Sequence, residues 1–256
     1  MFNFSSETNS EAYLRALEDV WFEPQFKSSP RGMPCREIMN YTFTVKYPDD
    51  SPIITKDLER NNVITSYTAK EVKLYNSCSN KVEDFAKASK FWNKIANPDG
   101  TVNSAYGYLI WENKSVGNRF ETYNINGYGL SGSPTWRTPW DWAKQCLISD
   151  KDTRQAILRF SLPEHQWVGN KDQTCTMYGN FLIRDDRLYL SMFMRSNDLM
   201  LGLVYDLPWF CSLMDRMVEE LKYDYPNLTK GEYTHCSNSM HIYERDEETI
   251  MRMLGE

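Results

Sequence analysis

Between residues 173 and 210 the apolar and polar positions alternate most sharply, and the pattern predicts two strands followed by a helix. Residues 175–183 form an apolar segment, Asp185 and Asp186 break it as a tight turn does, and residues 187–193 return with alternating apolar positions. A helical spacing then runs over residues 207–221. Upstream, Tyr13, Leu14, Leu17 and Val20 give residues 10–21 the period of an amphipathic helix. Residues 26–35 are punctuated by Pro and Gly and read as a loop, and the Thr- and aromatic-rich stretch 37–47 reads as a strand. Residues 68–77 and 139–148 have helical character, and a strand starts within residues 152–158. Residues 223–231 form a loop, 232–243 a last strand, and a short helical segment follows. Residues 112–138 are polar, rich in Gly, Ser and Asn, and have no period, as an insertion-like loop would. There are no internal repeats, and one α/β (α+β) domain over residues 1–256 is expected.

Composition narrows the partners. A chain of 256 residues can bury a large core, and 14% aromatics with eight Trp belong to a folded protein. A net charge of −6 disfavours a nucleic-acid polymer, which requires a basic face. A few local arginines can still hold one nucleotide phosphate. The first twenty residues have neither a basic n-region nor an apolar h-region, and no apolar run approaches the ~20 residues of a spanning helix. The expected location is the cytoplasm, with no membrane partner. Six scattered cysteines without a C-x-x-C pair, and three histidines, favour free thiols over a zinc site, so no metal is expected.

The polar residues of the central stretch are a thiol, a guanidinium, a hydroxyl and carboxylates at strand ends and a helix start: Cys175, Arg195, Ser196, Asp198 and Asp206. The order Cys…Arg-Ser-x-Asp…Gly, followed by His-x-Tyr at 241–243, resembles the catalytic half of the thymidylate synthase superfamily. Within it the chain is more similar to the phage deoxycytidylate hydroxymethylases than to the ordinary synthases. The resemblance covers roughly residues 70–245 and reaches weakly to Arg31.

It implies a thymidylate synthase-like fold, a mixed twisted sheet packed against helices with the sheet forming a dimer interface. The implied reaction is transfer of a one-carbon unit from 5,10-methylenetetrahydrofolate to C5 of a pyrimidine nucleoside monophosphate. Cys175 is the implied nucleophile at C6, its thiol pKa lowered by nearby positive charge, and Glu71 the implied mover of protons. Arg31, Arg195, Ser196, His241 and Tyr243 match phosphate and sugar contacts, and Tyr106 lines the nucleotide pocket. Arg154 matches an arginine that crosses to the partner's phosphate, although Gln155 replaces the second one. Trp92, Asp198 and Gly202 match folate contacts.

Asp206 stands where the synthases carry Asn, Thr176 where they carry His, and Met194 where they carry Gln. A carboxylate accepts from the N4 amino group of cytosine, so Asp206 points to a cytidine monophosphate, dCMP or CMP, with the sugar left open. Hydroxymethylation, with water quenching an exocyclic methylene, is the expected outcome; methylation by hydride stays open, as does a non-catalytic nucleotide-binding homologue. The resemblance further implies a homodimer, in a host cytoplasm if the chain is phage-encoded. The segment after Tyr243 replaces or omits the usual tail over folate.

Overall fold

A computed structural model describes residues 3–113 and 138–256. Most of the 112–138 loop expected from sequence lies outside the described residues. Strands β1 (Asn3–Ser6), β2 (Phe26–Ser28), β3 (Cys35–Val45), β4 (Ile157–Arg159), β5 (Thr176–Arg184), β6 (Arg187–Met194), β7 (Asn197–Asp198) and β8 (Thr229–Tyr243) form one mixed sheet. Its order is β1-β3-β8-β6-β5-β4, with β2 on β3 and β7 on β8. β3 pairs antiparallel with β8, and β6 pairs parallel with β8.

Side chains alternate across this sheet as period two demands. Phe181, Ile183, Leu188, Leu190, Met192, Phe43 and Tyr233 are fully buried under helices. Helix α1 (Asn9–Phe22) packs on β3, and α2 (Leu58–Asn76) packs on α7 (Val204–Leu221). The opposite face carries Thr42, Thr44, Tyr178, Ser191, Phe193, Thr234 and Cys236, none of them buried. That asymmetry arises because α1 and α7, the helices lying in the chain between the parallel partners β1 and β3 and β6 and β8, pack against one another on the same face.

Shorter helices α3 (Val82–Ala88), α4 (Trp92–Ile95), α5 (Tyr106–Trp111) and α6 (Pro139–Ser149) surround the start of the long helices, and α8 (Glu247–Leu254) ends the chain. An aromatic cluster fixes them. Tyr75 stacks on Tyr106 at 5.2 Å and meets Trp209 at 4.8 Å, and Phe85 meets Trp92 edge-on at 4.8 Å. Gly107 is obligatory there, because a Cβ would lie 1.7 Å from the Tyr75 carbonyl oxygen.

Local signals explain where sequence and structure part. Helix α2 begins ten residues before the expected 68, at an Asp57 cap whose side chain accepts from the Arg60 N–H. Its first turns, rich in Glu, Arg and Asn, hide the period. Residues 26–28 are an edge strand on β3, because the loop reading had no view of the pairing partner. Residues 152–156 are turn and coil, and β4 starts only at Ile157.

Candidate active site

β6 stops at Met194 and β7 starts at Asn197, and both pair with β8. The break between them turns Arg195 back on the loop before β5. Its backbone N–H donates to the Cys175 carbonyl at 2.9 Å. Its Nε donates to the Thr174 carbonyl at 3.1 Å and its Nη2 to the Gln173 carbonyl at 2.5 Å. Nη2 also lies 3.5 Å from Cys175 Sγ. Two backbone carbonyls therefore hold the guanidinium against the sulfur, and a third anchors the Arg195 backbone. Thr174 is held in turn, its hydroxyl 3.0 Å from His165 Nδ1.

The sequence leads one to expect a thiol with a lowered pKa. In the single chain burial instead pushes the Cys175 thiol up; Arg195 pulls it down, and Asp206, Asp172 and Asp198 push it further up. The physical reason is the shortage of cations around it. Arg31 is exposed in a turn with φ of 55°, and Arg154 is exposed ahead of β4. Among the described residues neither guanidinium is part of a hydrogen bond or ion pair, and neither is brought to the sulfur.

The acid half of the site comes from α2 and α7. Glu71, one of the buried residues of α2, is only 8% exposed, and burial and then the charge of Asp206 raise its pKa to about 8. The hydroxyls of Tyr75 and Tyr67 oppose that rise. Asp206 is buried in the first turn of α7, and burial lifts its carboxyl to about 6. The Asn197 side-chain amide donates to Asp206 Oδ2 at 2.9 Å and holds the rise back. Gly202 makes this pair possible, since a Cβ there would approach Asn197 Nδ2 to 2.8 Å and Asp206 Oδ2 to 3.3 Å.

Asp198 caps the π turn Leu199–Leu203 that leads into α7, its Oδ1 accepting from the Met200 and Leu201 N–H groups at 2.8 and 3.1 Å. Pro208 lacks the N–H that would bond the Val204 carbonyl, and a widened turn ahead of it suits that loss. Burial raises the Asp198 carboxyl while His241 and those two N–H groups restrain it. Ser196 Oγ sits 3.4 Å from His241 Nδ1, and the His241 ring meets Tyr243 edge-on at 5.5 Å. Tyr106 is walled into the aromatic cluster.

The structure thus gathers Cys175, Arg195, Asp198, Asp206, Glu71, Ser196 and His241, with Trp92, Tyr106 and Tyr243 on the periphery. The sequence reading passed over four neighbours. Asn197 stood inside the Arg-Ser-x-Asp motif as the unread position. Tyr67 is one helical turn before Glu71, a spacing legible in advance. Asp172 bonds the Ser104 N–H at 2.9 Å and the Ser104 hydroxyl at 2.5 Å, a pairing across 68 residues that no local pattern announces. Arg60, whose Nη2 donates to the Met200 carbonyl at 2.7 Å, is equally non-local.

Residues 11–256 match the family model described as thymidylate synthase. The chain belongs to the thymidylate synthase family. It is 26% identical over 230 residues to the deoxycytidylate 5-hydroxymethyltransferase of Enterobacteria phage T6, covering 87% of this chain and 81% of the relative. A deoxyuridylate hydroxymethyltransferase of Bacillus phage SP01 is 25% identical over 250 residues, covering 95% of this chain and 59% of that protein. Thermostable thymidylate synthase A from Bacillus subtilis superposes with a TM-score of 0.67 at 15% identity, over 96% of this chain and 84% of that one. The fold is therefore the mixed sheet with packed helices that the motifs implied. As a thymidylate synthase family enzyme, the protein transfers a one-carbon unit to C5 of a pyrimidine nucleotide, with methylenetetrahydrofolate as donor. No described helix is long and apolar enough to cross a membrane.

Proposed function

We propose that this enzyme hydroxymethylates dCMP at C5 and works as a homodimer with shared sites. The observation that carries the choice of base is the buried Asp206–Asn197 pair. The amide donates to one carboxylate oxygen, which leaves the other to accept from the N4 amino group of cytosine. Near its midpoint at about pH 6, the Asp206 carboxyl can share one proton with ring N3. Uracil presents an acceptor at O4 where cytosine presents a donor, so an ionised Asp206 repels it.

The roles follow from position. Cys175 Sγ adds to C6, and Arg195 stabilises the thiolate while its remaining donors and Ser196 face the phosphate. Loss of the C5 proton and handling of water belong to Glu71, the buried carboxyl on which the charge of Asp206 acts, once it has given up its own proton. Burial is the main cause of the raised Glu71 pKa and the charge of Asp206 the second, so a nucleotide that neutralises Asp206 removes the second and eases release of the Glu71 proton.

The folate donor fits the wall beside Asp198. Asp198 Oδ2 takes part in no hydrogen bond among the described residues, and Asp198 stands beside exposed Leu201, whose N–H its other oxygen accepts, a setting that suits a flat ring with N–H donors. Trp92 and Gly202 complete the residues that would hold it. When bound, it supplies a one-carbon unit at the oxidation level of formaldehyde. The buried polar corner made by Glu71, Tyr67 and Asp206 offers the partners that an attacking water needs. The phage T6 relative, named as a deoxycytidylate 5-hydroxymethyltransferase, supports the same reading.

Dimerisation rests on the uncovered sheet face and on Arg154, which lies beyond its own site and suits a partner's phosphate. The test is a product assay with methylenetetrahydrofolate and each of dCMP, CMP and dUMP, read by mass. Hydroxymethyl-dCMP is expected. Asp206→Asn should lose turnover on dCMP by roughly 10²-fold or more and gain dUMP binding. A wild-type enzyme that prefers dUMP would sink the role given to Asp206.

A further inference from the structure

Tyr67, Glu71 and Tyr75 are spaced four residues apart, so they stand above one another on one face of α2. That face turns to α7. The Tyr67 ring packs on Tyr205, the residue before Asp206, with centroids 4.6 Å apart. The Trp92 side chain of α4 also comes close enough to the Tyr67 hydroxyl to favour its ionised form, against the burial that raises its pKa. Trp92 is 8% exposed and pinned edge-on by Phe85, so this neighbour is rigid. Tyr67 thus packs on the Tyr205 ring near Trp92 and stands one helical turn from a buried carboxyl. Nothing in the family motif assigns this residue a task.

We infer that Tyr67 is a positioning residue for the transfer reaction, its ring packed on Tyr205 so that its hydroxyl orients the Glu71 carboxyl one turn along α2. This rests on Glu71 being the proton-handling group. The groups facing Glu71 are Tyr67 and Tyr75 from its own helix and Asp206 and Tyr205 from α7. Burial and Asp206 disfavour its ionisation, and the two hydroxyls favour it. Removing one hydroxyl removes one of two opposing influences, so the proton is held more tightly. Because Trp92 lies on the side assigned to folate, Tyr67 also joins that side of the pocket to the acid.

The experiment is Tyr67→Phe, which keeps the ring and its packing on Tyr205. Expected are a kcat lower by roughly tenfold, a KM for nucleotide within about twofold, and the Glu71-dependent limb of the pH–rate profile moved up by about one unit. A pH profile that superimposes on wild type overturns the inference, even where kcat has fallen. A second readout does not need turnover. Infrared titration follows the protonated carboxyl band that is missing in Glu71→Gln, in wild type and in Tyr67→Phe. An upward shift of that titration in Tyr67→Phe supports the positioning role, and an unshifted titration refutes it. Failure of wild type to act on any pyrimidine nucleotide would instead indict the functional reading and leave the infrared result standing.

Discussion

Around Cys175 the groups that hold the chemistry are backbone carbonyls, and Arg195 is exposed to solvent; around Glu71 they are buried side chains, and solvent is excluded. The nucleophile half has one cation at 3.5 Å and three carboxylates working against it. The acid half contains two carboxyls, two tyrosine hydroxyls and an amide, all contributed by α2, β7 and α7 of the same chain. One half is therefore complete within a single chain, whereas the other needs added positive charge to make a thiolate. A buried acid can be tuned by fixed neighbours, but a thiolate beside one cation and three carboxylates needs further positive charge.

The sharpest way to break this contrast is to remove the sulfur. Cys175→Ser should lower turnover by at least roughly 10³-fold while the fold and nucleotide binding persist, measured by tritium release from C5 and by equilibrium binding. Release at near the wild-type rate would show that the covalent step is misassigned.

A smaller effect tests whether the nucleophile half is completed by a partner. Arg154→Ala and Cys175→Ser chains should each be nearly inactive alone. Mixed and allowed to exchange, they should recover about a quarter of wild-type activity, from the one intact site in each heterodimer. No recovery on exchange, or a monomer in sedimentation, would place Arg154 outside the site.

The acid half is probed through stability. Glu71 has a pKa of about 8 in the folded chain against an ordinary 4.5. The folded state thus holds its proton more tightly, and stability is lost as pH rises across that window. Glu71→Gln should therefore be more heat-stable than wild type, by little at pH 5 and by roughly 3 kcal/mol, several degrees in Tm, at pH 8. An equal gap at both pH values would mean that Glu71 is not a buried acid.

Much of this was legible in advance, for identifiable reasons. The β5–β6 hairpin was readable because one face is buried and the other is not, so the period of two survives in the residue types. Cys175, Arg195 and Asp198 were readable because they fall within 24 residues of one another in a single supersecondary unit. Glu71 could be placed only through the resemblance, since a Glu on a helix is ordinarily exposed and only the contact with α7 buries it. The first half of α2 escaped because its buried positions include Asn61, which bonds Thr55 and has no apolar signature. The state of the Cys175 thiol was misread because a motif reports which groups are near, whereas protonation depends on the balance of all of them.

The Asn197 amide has a consequence for how such enzymes change their base. An amide has two unlike ends, and in this chain the donor end meets Asp206 while the carbonyl end has no partner. If residue 206 became an amide itself, half a turn of the Asn197 side chain would present the carbonyl instead and restore the bond. The space kept by Gly202 allows the pair to be remade in place. Under the proposed role of Asp206, one substitution would reverse the polarity shown to the base, and the supporting residue would need a rotation in place of a second mutation.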